Sequence, residues 1–391
     1  MTGLRGVSSA ALRLGVLFLA VLLWALSCSF NSVLSVVKGT AVIHCNASLN
    51  FSDVNKMRNT EAHANNNINF TAWQQTDHQT IRHSEYVRVA TADVVTVFGD
   101  TKLVFPVGQS LSAGDTAGCL LDKETAYNIF GTYKAAGYRL QYQNKTYIVR
   151  NVFASSEATL VIQADALSDV VFSKISLDVS QSAYPKRAAE EFASRYNLTD
   201  FIVEDNGMYS GAATFFAALP AWILAAALLL IMLREAYRYR EMPVRFMFYL
   251  LVGAVILIVY FLVSGLRFSF PQSMVPTRWS DFEFWQRLFM QNKQHTLQML
   301  YMKKEKPAIL LIELAAKAIG SSLVTVLLLW YTVKKHRVST AKNLFNTVSF
   351  YFLITFFAVL LAQKFVPSAA SFQMLWVCIP FFYAVRFYAH T

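Results

Sequence analysis

The chain has 391 residues, 55% of them hydrophobic and only 15% charged, and it carries a formal charge of +11. Soluble domains hold about 25% charged residues, and a mean hydropathy of +0.37 leaves too little polar surface to cover a globule, so a wholly soluble protein is excluded. Four cysteines are too few for a secreted disulfide scaffold and apolar residues are too abundant for disorder, which leaves an integral membrane protein.

The charge is unevenly spread. Residues 31–211 hold 15 Lys/Arg against 18 Asp/Glu, whereas the remainder holds 20 basic and 6 acidic residues. The basic excess therefore flanks the apolar segments, where it sets topology and meets anionic headgroups. A nucleic-acid partner is not expected.

In chain order, Leu14–Leu26 is an apolar run behind Arg5 and Arg13, with a signal peptide's charge layout. Apolar residues continue to Val37, long enough to span a bilayer, so an uncleaved first helix is favoured over cleavage near Ser27-Cys28 or a lipoprotein reading of Cys28. A polar stretch of about 175 residues follows, the size of one domain. Five further spans are expected at Ala212–Leu233, Phe246–Leu266, Ala308–Val333, Phe345–Leu361 and Phe372–Tyr388. The expected division is residues 1–37 as the first membrane helix, 38–211 as an extracytoplasmic α+β domain, and 212–391 as a five-helix region with an interfacial loop at 269–307.

With the amino terminus in the cytoplasm, short inner segments carry eleven basic residues and outer ones eight. The loop Ser269–Pro307 is basic for an outer loop.

Within the polar domain, Tyr86–Val89, Val94–Phe98, Tyr138–Tyr142, Tyr147–Val152 and Thr159–Ile162 read as strands, with Gln143-Asn144-Lys145 as a hairpin connection. Ser52–Glu61, Lys123–Phe130 ending at Gly131, and Lys186–Tyr196 after Pro185 read as helices.

One stretch carries a family resemblance. Val97-Phe98-Gly99-Asp100 is followed by Leu103-Val104-Phe105-Pro106, Gly108, Gly114-Asp115 and Gly118-Cys119-Leu120-Leu121. Ala126-Tyr127-Asn128-Ile129-Phe130-Gly131, Gly137-Tyr138-Arg139-Leu140 and Tyr147-Ile148-Val149-Arg150-Asn151-Val152 complete it. This order resembles the extracytoplasmic core domain of MacB/FtsX-type ABC transporter permeases; Leu49–Arg58 and Phe70–Gln75 resemble the helix and strand that open that domain. The resemblance covers about 160 residues and implies a bacterial cell-membrane subunit that couples a separate cytoplasmic ATPase to an extracytoplasmic domain. Family permeases have three spans after this domain where five are expected here. The segment matching the ATPase-docking turn, Arg234–Arg245, lacks the family's glycine motif; Arg234, Arg238 and Arg240 are its docking candidates.

Other constellations are plainer. Glu313 and Lys317 stand four apart in an expected span, on one helix face. They read either as an interior polar contact or, more plainly, as an interfacial pair snorkelling to headgroups. Trp279, Phe282 and Trp285 suit the membrane interface rather than a substrate lip, and Asp281 with Glu283 reads as solvated surface. Cys45 and Cys119 share the extracytoplasmic domain and are a possible disulfide; Cys28 and Cys378 read as packing residues. His44, His63, His78 and His83 have no zinc spacing, so no metal or cofactor is expected. Five N-x-S/T sequons, at Asn46, Asn50, Asn69, Asn144 and Asn197, are of a number expected by chance in an Asn- and Thr-rich domain and would carry no meaning in a bacterium. No GxxxxGK[ST] loop and no nucleophile–base pair appears, so an enzyme is not expected. Lipids, the ATPase and other envelope proteins are the expected partners. The alternative is a non-transporting surface scaffold or binding module.

Overall fold

The computed structural model describes residues 2–390 apart from 65–66, 108–109, 167–168, 183, 267–282, 302 and 336–339. The described elements run α1 (Thr2–Leu34), β1 (Thr40–Asn50), α2 (Phe51–Ala62), β2 (Phe70–His83), β3 (Val89–Phe98), β4 (Gly118–Asp122) and α3 (Lys123–Phe130). Then come β5 (Arg139–Tyr142), β6 (Lys145–Phe153), β7 (Thr159–Gln163), β8 (Val171–Asp178), α4 (Pro185–Arg195) and β9 (Phe201–Asp205). The rest is helical: α5 (Gly207–Arg238), α6 (Pro243–Ser264), α7 (Phe284–Tyr301), α8 (Lys306–Lys335), α9 (Ala341–Phe365) and α10 (Gln373–His390). The chain divides into a helical unit (Met1–Leu34, Ser210–Ser269, Leu314–Thr391) and a strand-rich unit (Ser35–Tyr209, Phe270–Glu313).

The strand-rich unit is one nine-stranded sheet in the order β3-β7-β4-β6-β5-β2-β8-β1-β9, with β3 also paired to β2. That extra pairing closes six strands into a ring, and β8, β1 and β9 extend from the first half of β2. All pairings are antiparallel except β3–β7 and β4–β6. Two cores result. One gathers Ile43, Phe70, Phe172, Ile175 and Phe192 under α2 and α4; the other gathers Ile81, Val94, Leu121, Ile129 and Tyr147 under α3.

Local chemistry explains several boundaries. Asp122 caps α3 by accepting from the amides of Glu124 and Thr125, and its other oxygen accepts from Thr159 at 2.7 Å, tying the cap to β7. Gly131 ends the same helix at φ 70°, a left-handed conformation costly for other residues. Gln143 and Asn144, at φ 45° and 60°, close the β5–β6 hairpin.

Of the expected strand Tyr86–Val89, only Val89 lies in a strand, as the first residue of β3; Tyr86–Arg88 belong to the β2–β3 turn. Nδ1 of His83 accepts the amides of Glu85 at 2.9 Å and Tyr86 at 3.1 Å, which diverts those donors from a ladder. Residues 284–301, placed in a loop from sequence, form α7. Cys45 and Cys119 are free, so the disulfide left possible by the sequence is not formed. Cys45 sits on β1, its thiol donating to Ser173 O at 3.2 Å. Cys119 lies on β4 in the α3 core, so the two face different surroundings. Burial pushes both thiols up.

In the helical unit, Trp24, Tyr260, Tyr351 and Phe382 are fully buried in a shared core. Neutral donors on one helix reach carbonyls on another: Trp24 to Ala217 at 3.0 Å, Ser27 to Ala318 at 2.8 Å and Tyr260 to Ala221 at 2.7 Å. Pro220 lies inside α5 and cannot donate to the carbonyl four residues before it. That carbonyl, of Phe216, accepts from Ser322 on α8 instead.

Among the described residues five stretches are long and apolar enough to cross a membrane: Leu14–Val37, Gly207–Arg238, Pro243–Ser264, Lys306–Thr332 and Ala341–Phe365. The sixth expected span corresponds to α10, which is not among them. It has 18 residues and includes Gln373, Arg386 and His390, and at 1.5 Å per residue it reaches only about 27 Å.

Candidate functional site

The densest set of paired charges in the strand-rich unit gathers on Lys303-Lys304-Glu305-Lys306. It begins with a bulge. Between Thr76 and Gln79, β2 carries one residue more than the facing part of β3, and His78 adopts φ 53°. Asp93 on β3 holds the bulge by accepting the His78 amide at 2.8 Å. Bulges of this kind re-aim side chains.

Lys303 reaches Asp77 at 2.9 Å. Lys306 lies between Asp93 at 3.0 Å and Glu157 at 2.6 Å, with Lys306 and Asp93 only 13% and 10% exposed. The Lys306 amide donates to Gln75 Oε1 at 2.9 Å, satisfying one of the orphan donors at a helix start. Two turns on, Glu313 accepts the Ser156 amide at 3.2 Å. The first two turns of α8 are thus tied to the β2 bulge and to the β6–β7 connection.

A second cluster adjoins it. Glu204 on β9, 4% exposed, accepts from His44 on β1 at 3.2 Å, Tyr209 at 3.1 Å and Lys304 at 3.5 Å. Glu305 pairs with Lys174 on β8 at 2.5 Å, and Lys174 lies over the Trp73 ring at 5.2 Å. The strands that enter and leave this unit are clamped nearby, the Asn206 amide donating to Thr40 O at 3.1 Å. One cluster therefore gathers the start of β1, the end of β9 and the approach to α8.

Burial pushes the Glu204 carboxyl up, but the His44 and Tyr209 hydrogen bonds and the Lys304 charge together hold it below the ordinary carboxylate range. Hydrogen bonds from Gln75 and Lys303 hold Asp77 low, and Asp77 in turn raises Lys303. The arrangement holds no nucleophile beside a base. Among the described residues no group of three or more His, Cys, Asp or Glu is placed to hold a metal. Its chemistry is that of a charged latch.

The residues singled out from sequence fall as follows. Arg238 pairs with Glu235 at 2.8 Å, Arg240 donates to the Tyr237 hydroxyl, and Arg234 is exposed. Only residues 239–242 separate α5 from α6, in a tight turn closed by the Met242 amide on Tyr239 O at 2.9 Å. Glu313 joins the latch, while Lys317 is exposed on α8. Trp279, Phe282 and Asp281 lie outside the described residues; Trp285 on α7 is 57% exposed.

Sequence reasoning missed the latch residues Asp77, Asp93, Glu157, Glu204 and Lys303–Lys306. Its signal was a basic loop that fitted topology poorly, alongside a polar domain with an acidic excess.

No family model matches the chain, and no curated protein matches it. Solved structures similar to it include the periplasmic region of MacB from Actinobacillus actinomycetemcomitans. That likeness has 13% identity, covers 44% of this chain and 91% of that one, and gives a TM-score of 0.35. Another is the extracellular domain of the noncanonic ABC-type transporter YknZ from Gram-positive bacteria, at 13% identity, 42% and 99% coverage, and a TM-score of 0.33.

Proposed function

We propose that this chain is the permease-like membrane subunit of an ABC-type export or mechanotransmission system. A separate cytoplasmic ATPase drives it, and the strand-rich unit, outside the cytoplasm, passes the movement to an envelope target. In this reading α10 is the sixth span and the amino terminus is cytoplasmic. The observation that carries it is the latch. Ion pairs join residues 303–306 to β2, β3, β8, β9 and the β6–β7 connection, so a displacement of α8 is handed to the sheet instead of being absorbed by a slack linker. The same pairs support the orientation: Lys303, Lys304 and Lys306 are neutralised by carboxylates and weigh less against an outer position for that loop.

A second reading, a surface scaffold with no ATPase, is favoured by one observation. Arg238 and Arg240 are engaged within their own segment, and the four-residue α5–α6 turn provides no separate coupling helix. The two readings separate on purification from native membranes in mild detergent. A stoichiometric nucleotide-binding subunit, lost in Arg238→Glu, is expected. Its absence, with other envelope proteins bound instead, would leave the scaffold.

A further inference from the structure

At the carboxyl end of β2, a groove of about 540 Å³ opens between the β2–β3 turn, the end of α3 and the start of β5. That volume lies within the usual range for small-ligand sites. Its wall is a run of rings in edge contact. His83 meets Tyr86 at 4.8 Å and Phe130 at 5.2 Å, and Phe130 meets Tyr138 at 5.3 Å. Tyr86 and Tyr138 remain 67% and 48% exposed.

The polar lining is mixed. Arg88 and Arg139 supply guanidinium groups and Glu85 a carboxylate. Nδ1 of His83 accepts two amides, so the neutral ring carries its proton on Nε2 and has a donor to offer. Arg150, Arg187 and Arg195 of the same unit each hold a carboxylate. Among the described residues Arg88, Arg139 and Glu85 have no ion-pair partner.

We propose that this groove binds an anionic oligosaccharide, a chain of uronic-acid-bearing sugars. Planar guanidinium groups at Arg88 and Arg139 match a sugar carboxylate. Glu85 accepts from ring hydroxyls, Nε2–H of His83 donates to them, and the exposed rings of Tyr86 and Tyr138 take the apolar face of a sugar. A neutral sugar leaves both arginines unanswered. An acidic peptide meets the same arginines but has no hydroxyls to donate to Glu85, so that carboxylate stays unanswered. The assignment uses none of the latch contacts and stands whether or not an ATPase binds.

The test is calorimetric titration of the full chain in detergent with tetragalacturonic acid, a neutral galactose tetramer and tetraglutamate. Saturable one-to-one binding of the uronate is expected, with the neutral tetramer at least about tenfold weaker. Losing one charged hydrogen bond removes about tenfold in affinity, so Arg139→Gln and Arg88→Gln should each weaken binding by that factor, while Lys123→Gln, outside the groove, leaves it unchanged. Arg139→Gln is the decisive variant, because Arg88 also lies against Gly131 at the end of α3. Tetraglutamate binding as tightly as the uronate, absence of saturable uronate binding, or an unchanged affinity in Arg139→Gln would each overturn the proposal.

Discussion

The two units differ in the charge they bury. In the strand-rich unit, beside buried neutral groups such as Thr71 and Ser176, several little-exposed side chains are charged and paired, as in Lys306 with Asp93, or Glu204 with His44 and Lys304. In the helical unit the linking groups are neutral: indole, hydroxyl and phenol donors reach carbonyls on neighbouring helices. The difference follows from the surroundings. Unpaired charge in an apolar medium is expensive, whereas hydroxyl-to-carbonyl bonds join helices with no charge to desolvate. An ion pair set into a sheet that faces water carries a smaller desolvation penalty.

The contrast is broken most strongly at Lys306. Lys306→Met leaves Asp93 and Glu157 without their shared cation and should cost about 3 kcal/mol, since removing one member of a buried pair strands the other. Thermal unfolding of the full chain followed by circular dichroism reads this, with the loss confined to the strand signal. Acid acts on the same contacts. Glu204 and Asp77 are held below the ordinary carboxylate range when folded, so the stability they add is present above the unfolded value, about pH 4 to 4.5. It is lost as pH falls through their folded values. A pH series should show the strand-rich unit loosening in that acid window while the helical signal holds.

Asp122→Ala comes next. It removes the α3 cap and leaves the Thr159 amide unpaired, at a cost of about 2 kcal/mol. In the helical unit, Ser322→Ala removes the partner of the carbonyl that Pro220 frees. It should cost about 1 kcal/mol, and little when Pro220→Ala restores the helix's own bond, which a double-mutant cycle in detergent would show. Smallest is Arg187→Ala. Its i,i+4 pair with Glu191 is 77% and 64% exposed, and exposed pairs of this kind contribute under about 0.5 kcal/mol.

Much of this was legible in the sequence where the signal is local. The end of the helix at 123–130 follows from Gly131 after it, and the apolar stretches of α5 and α6 follow from length and hydropathy alone. Strands β1, β8 and β9 were not legible. β9 has five residues, and β1 and β8 pair across more than 120 residues of chain, so neither shows a turn signal beside it. Tyr86–Val89 has strand composition, yet the ring nitrogen of His83 takes the Tyr86 amide and the chain turns until Val89. The latch was hidden for the same reason. Lys306 and Asp93 meet only after β2 bulges and β3 pairs with it, and no spacing in the chain records that.

The most direct test of the account is hydrogen–deuterium exchange of the full chain in lipid nanodiscs, comparing the native protein with Lys306→Met. The latch account predicts faster exchange in the β2 bulge around residues 75–79 and in residues 303–309, with β4 and β7 unchanged. Equal exchange in both proteins across those two segments would mean that the lysine run does not fasten α8 to the sheet, and it would contradict the account.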